Sequence, residues 1–131
     1  MKNLILLSIL LFPSISIAQE WVLVSEGESG SKVYVDKSSI QKADNNTKAQ
    51  VKQTFNSDLV ASDNKTKYNQ LNVTYLFNCK AAKVAVIEGK KINSSGETVK
   101  SDKFDDLTWV SVKPDTVLSY AIEYSCSYTG N

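Results

Sequence analysis

The chain has 131 residues, with fifteen lysines, no arginine, no histidine, fourteen acidic residues and two cysteines. That length suits one domain. Without histidine the commonest general base, the Ser-His and Cys-His pairs and most zinc sites are missing, and without arginine so are bidentate phosphate clamps and the commonest guanine reader, which argues against most enzymes and nucleic-acid binders.

Residues 1–18 read as an export signal. Lys2 gives a positive start, Leu4 to Phe12 is an apolar run, Pro13 and Ser14 break it, and Ser16-Ile17-Ala18 supplies small residues for cleavage. The run is too short to span a bilayer. We expect cleavage after Ala18 and a single domain over residues 19–131. The first cysteine is Cys79, so no lipid anchor is expected. Without Lys2, fourteen lysines face fourteen acidic residues, and a neutral domain has no global field to hold DNA or an anionic membrane. The expected address is the periplasm, the cell surface or the medium.

The domain then reads mostly as strands. Trp21 to Ser25 and Lys32 to Asp36 flank the turn-forming Glu26 to Ser31, which suggests a hairpin. Thr47 to Phe55 alternates, with Lys48, Gln50, Lys52 and Thr54 opposite Ala49, Val51 and Phe55. Ser57 to Lys67 is mixed and reads as a long loop. Tyr68 to Asn78 is the clearest strand, with Leu71, Val73, Tyr75 and Phe77 on one parity. Lys83 to Ile92 is another, apolar on both sides at Val84 to Ile87. Asn93 to Gly96 is a turn, Glu97 to Phe104 a short strand, and Leu107 to Val112 around Trp109 the last.

Pro114 and Asp115 change the pattern, because both suit the first turn of a helix. Leu118, Ala121, Ile122 and Ser125 follow at helical spacing, so Thr116 to Cys126 reads as an amphipathic helix. The expected class is α+β: an antiparallel sheet of about six strands with one C-terminal helix on its concave face.

Export implies an oxidising compartment, and two cysteines permit one disulfide, Cys79–Cys126. A redox or metal pair is the rival, but C-x-x-C is absent and no histidine can complete a metal site. Loop closure of this length contributes about 4 kcal/mol in the chain-entropy picture. Cys79 shares the parity of Phe77 and Cys126 lies four residues after Ile122, so the bridge should pin the helix across the buried face.

Few motifs suggest chemistry. Ser29–Lys32, Ser39–Lys42 and Ser62–Lys65 fit Ser-x-x-Lys, but Lys-Thr-Gly is missing and the chain is too short for a serine β-lactamase. Asp102, Asp105 and Asp106 cluster without EF-hand spacing. Asn45, Asn64, Asn72 and Asn93 fit the glycan acceptor pattern, as chance allows in an Asn- and Ser-rich chain. Lys80, Lys83, Lys90 and Lys91 are the candidate basic contacts for an acidic partner, against the plainer role of guarding a sheet edge. Trp21, Tyr34, Tyr75, Phe77 and Trp109 read as core aromatics, against the alternative of lining a ligand site.

The order of landmarks resembles the surface-adhesin protein E family of Gram-negative bacteria. They are Trp21, then Tyr34-Val35-Asp36 with Ser39-Ile40, then Asn78-Cys79, where relatives tend to carry an acidic residue before the cysteine. Gly96, Trp109-x-x-Val112-x-Pro114 and a helix closing on Cys126 complete the series. The resemblance implies a disulfide-tethered helix on an antiparallel sheet, with Trp21 and Trp109 as structural aromatics. It also implies adhesion to host matrix or serum proteins such as laminin, vitronectin and plasminogen, and a homodimer. The expectation is a non-catalytic exported binding protein without cofactor or metal; the alternative is a periplasmic structural or small-ligand-binding protein with no host partner.

Overall fold

The computed structural model describes residues 18–130. The export signal expected over residues 1–18 lies outside them, apart from Ala18. Eight strands form one antiparallel sheet: β1 (Trp21–Glu26), β2 (Lys32–Asp36), β3 (Gln41–Ala43), β4 (Asn46–Val60), β5 (Lys67–Asn78), β6 (Lys83–Ile92), β7 (Thr98–Lys103) and β8 (Val110–Ser111). Six of them run in the order β1-β2-β4-β5-β6-β7; β3 is added beside β4, and β8 beside β6. One helix, α1 (Val117–Ser127), follows. The expected class holds, with two more strands than expected. The strand read over Leu107 to Val112 shortens to the two-residue β8, and β3, three residues long, is too brief for an alternating pattern to reveal.

The helix packs across β1, β2 and β4. Between them lies a core of Val33, Val35, Ala49, Val51, Phe77, Val84 and Ala121, each at most 5% exposed. The alternation read in β4 and β5 survives: Thr47, Ala49 and Val51 are buried, and Phe77 lies wholly inside. Removing these side chains from water drives the sheet and helix together, at roughly 25 cal/mol per Å² of apolar surface.

Two segments differ from expectation. Ser57 to Lys67 is not a long loop: β4 continues to Val60 and β5 begins at Lys67. Pairing pauses after Thr54↔Gln70 and resumes at Leu59↔Tyr68, so β4 spends three more residues than β5 in that interval. This bulge breaks the period-two pattern and disguises the strand. The helix starts one residue later than expected, because Pro114 and Asp115 lie in the preceding turn and Asp115 adopts a left-handed φ of 60°. Thr116 is the N-cap, and it exchanges bonds with Ser119 in a reciprocal capping box.

The disulfide joins Cys79, just past β5, to Cys126 in α1, with the Cα atoms 5.9 Å apart. Cys126 packs against the core, as its helical position implied. Cys79 is exposed, because the chain leaves the strand at Asn78 before reaching it. The bridge therefore clamps the sheet's rim instead of crossing its buried centre. Nearby, Lys42 Nζ donates to the Cys126 carbonyl at 2.9 Å.

Candidate functional site

On the helix side, a small groove opens where α1 begins. Val51, Leu71, Val73, Tyr75, Val117 and Leu118 line it, and its volume is about 190 Å³. Burial pushes the Tyr75 hydroxyl's pKa up.

The opposite face is polar and has more structure. Strand register builds it in rows, since residues directly opposite each other share a face. One row runs Leu23, Tyr34, Lys52, Asn72, Lys90 and Ser101 across six strands. The next includes Gln50, Thr74, Glu88 and Lys103. In the first row the Lys52 ammonium lies 4.5 Å from the Trp21 ring centre and 4.7 Å from that of Tyr34. Both rings attract the cation through their quadrupoles, while partial burial pushes its pKa down.

Beside this cation a cleft of about 110 Å³ is lined by Gln19, Gln50, Asn72, Thr74, Glu88 and Lys90. Gln19 donates to the Gln50 side-chain oxygen at 3.3 Å, and Gln70 donates to the Asn72 oxygen at 2.8 Å. Lys90 stands 3.7 Å from Glu88. A second cleft of about 200 Å³, lined by Ser39, Gln41, Lys48 and Ala49, shares Gln50 and Thr74 with the first. The two form one trough of hydrogen-bonding side chains with a lysine near each end.

A bulge places half of this wall. Tyr75 pairs with Val86, but the next β5 residue, Thr74, pairs with Glu88, so Ile87 is an extra residue on β6. Without it Glu88 and Lys90 would share the parity of Val84 and Val86 and face the helix. This is why sequence reasoning missed Gln50, Asn72, Thr74 and Glu88 as a group: only the apolar run from Val84 to Ile87 hints that the face changes.

The structure separates the four lysines singled out from sequence. Lys80 and Lys83 lie at the β5–β6 turn, whereas Lys90 and Lys91 lie seven and eight residues further along, roughly 23 Å away at strand rise. Register sends Lys90 to the trough and Lys91 to the helix side opposite Leu71, with its ammonium 5.5 Å from the Tyr68 ring centre. Of the aromatics, Phe77 is core and stacks on Tyr75 with ring centres 5.6 Å apart. Trp21 holds Lys52 on the outer face. Trp109 is 37% exposed and is not core, because only Val110 and Ser111 after it join the sheet. It belongs to an apolar stretch with exposed Phe104, Leu107 and Val110.

The Ser-x-x-Lys matches have structural work. Ser39 Oγ donates to the Asp36 carbonyl at 2.6 Å and accepts from Gln50 N at 2.9 Å. In the β4–β5 turn, Asp63 accepts from the backbone N–H groups of Lys65 and Thr66 and from the Thr66 hydroxyl. These bonds hold its pKa down at about 2. Asp102 sits on β7 opposite Gly89, while Asp105 and Asp106 lie in the bend that follows.

Comparison with known proteins agrees with this architecture. No curated protein matches the chain. Among solved structures, Haemophilus influenzae protein E aligns with a TM-score of 0.58 at 15% identity, covering 89% of this chain and 91% of that one. A second crystal form of the same protein gives 0.60 at 15% identity, covering 89% and 94%. Protein E from non-typeable Haemophilus influenzae gives 0.59 at 15% identity, covering 90% and 83%. At that identity the likeness concerns the fold. The family described as surface-adhesin protein E matches residues 21–127. With the match running from the first residue of β1 to the last of α1, this chain belongs to the surface-adhesin protein E family.

Proposed function

We propose that the protein is an exported, non-catalytic binding domain of the adhesin type that engages host matrix or serum proteins and is displayed at the cell surface or released. The observation that carries this reading is the family match from Trp21 to Ser127. In this reading residues 1–18 are removed on export and residues 19–131 act as one unit. Lys80 and Lys83 at one end of β6, and Lys90 and Lys91 at the other, are the candidate basic contacts. Lys90 and Lys91 face opposite sides of the sheet, so a partner that reaches the Lys80–Lys83 end meets one of the two, and that separation suits an extended partner better than a compact one.

The expected result is saturable binding of the purified domain to immobilised laminin, vitronectin or plasminogen at micromolar protein. Protease treatment of intact cells should also remove the protein. No saturable signal, together with protection until the outer membrane is broken, would reject the reading.

The groove between α1 and the sheet favours the second reading, a periplasmic small-ligand carrier. Its 190 Å³ falls below the roughly 300 Å³ at which drug-sized ligand pockets usually begin. The adhesin reading is therefore preferred.

A further inference from the structure

We propose that the trough on the sheet face opposite the helix binds an acidic oligosaccharide. This rests on the binding-domain reading and names a ligand class for it. Three observations converge.

The first is the donor set. Gln50, Asn72 and Thr74 line the trough, with Ser39 and Gln41 at one end. Amides and hydroxyls both donate and accept, which matches the hydroxyl groups of a sugar ring. Few of these side chains carry charge, so the trough is built for polyols more than for a simple ion.

The second is charge. Lys48 lies at one end and Lys90 at the other. By register they are two strands and four residues apart, roughly 16 Å. Lys52 and Lys103 stand in the same rows, against Glu88. Asp36, on the neighbouring strand, is spent on its own chain, accepting from Glu20 N, Ser38 N and Ser38 Oγ. The excess of cations around neutral hydrogen-bonding groups fits carboxylates or sulfates carried on sugar rings. Glu88 accepts from ring hydroxyls and holds Lys90 in place at 3.7 Å.

The third is the Ile87 bulge, which turns Glu88 and Lys90 into this wall. Bulges often re-aim side chains beside functional sites. The two clefts, of about 110 and 200 Å³, meet at Gln50 and Thr74 and give an open, elongated seat for part of a sugar chain.

The test uses hyaluronan oligosaccharides, in which uronic acids alternate with neutral sugars. Dextran oligosaccharides serve as the uncharged control and poly-glutamate as the acidic-peptide control. Hyaluronan should bind saturably, shift the side-chain amide resonances of Gln50 and Asn72, and weaken as salt rises. Lys48→Gln with Lys90→Gln should weaken binding about tenfold and flatten the salt dependence. Gln50→Ala with Asn72→Ala should weaken hyaluronan binding about tenfold while leaving its salt dependence in place; thermal melting of each variant confirms that it folds. Equal binding of dextran, equal binding of poly-glutamate, or shifts confined to the helix side would overturn the inference. Matrix-protein binding without hyaluronan binding sinks this inference and leaves the adhesin reading standing. Hyaluronan binding without matrix-protein binding does the reverse.

Discussion

Single side chains settle several local structures, and two aspartates show how much of that was readable. Tyr34-Val35-Asp36 stands out in the sequence, and the buried Asp36 carboxylate explains it. It gathers Glu20 N at 2.9 Å, Ser38 N at 3.0 Å and Ser38 Oγ at 2.6 Å, tying the start of the domain to the turn after β2. Asp63 stands in the sequence only inside the misleading Ser62–Lys65 match. Its bonds to Lys65 and Thr66 depend on the closed turn, and an unfolded chain lacks them. The folded pKa of about 2 lies below the ordinary carboxylate value, so the turn's contribution is complete above about pH 4 and fades as pH falls toward 2. A carboxyl titration by NMR should place the Asp63 midpoint near 2. In Thr66→Val it should return toward the ordinary carboxylate range, because the hydroxyl bond is the largest cause of the shift. A midpoint unmoved in that variant would refute the assignment.

At the scale of elements, period-two patterning found the long strands and lost them where bulges intervene. Leu71, Val73, Tyr75 and Phe77 announce β5 because that strand carries no extra residue of its own, whereas Phe55 to Asp58 conceal the far half of β4. The same effect hid the trough, since one extra residue at Ile87 changes the face of everything after it. The helix was legible from Leu118, Ala121, Ile122 and Ser125, though its cap was not. Its packing contains an imperfection. Ser125 is fully buried, and its hydroxyl has no hydrogen-bond partner. Leaving a hydroxyl dry and unpaired costs about 1–3 kcal/mol, so Ser125→Ala should raise stability by roughly 1 kcal/mol. Urea denaturation would measure it, and a loss of stability would show that the hydroxyl is satisfied in solution.

Across the described residues the molecule is an open sheet closed on one side by the helix α1. Its class was legible because amphipathic strands and one amphipathic helix admit few arrangements, and because two cysteines allow one pairing. The position of the bridge was less legible: parity aimed Cys79 inward, but β5 ends at Asn78 and the sulfur sits at the rim. It still closes a long loop, so Cys79→Ser with Cys126→Ser should cost about 4 kcal/mol and lower Tm by roughly 10 °C or more. A melting temperature within a degree of the parent would show that packing alone holds α1.

The order of the chain and the order of the contacts run in opposite directions. The helix follows every strand of the sheet in the chain, yet it rests on β1, β2 and β4, which are among the earliest. Val33, Val35 and Val51 therefore stay wet while all eight strands are made, until α1 itself emerges. Assembly cannot proceed piecemeal from the amino end. A ribosome that stalls before Val117 releases a ribbon with one bare greasy side, which makes such fragments natural clients for holding chaperones and proteases.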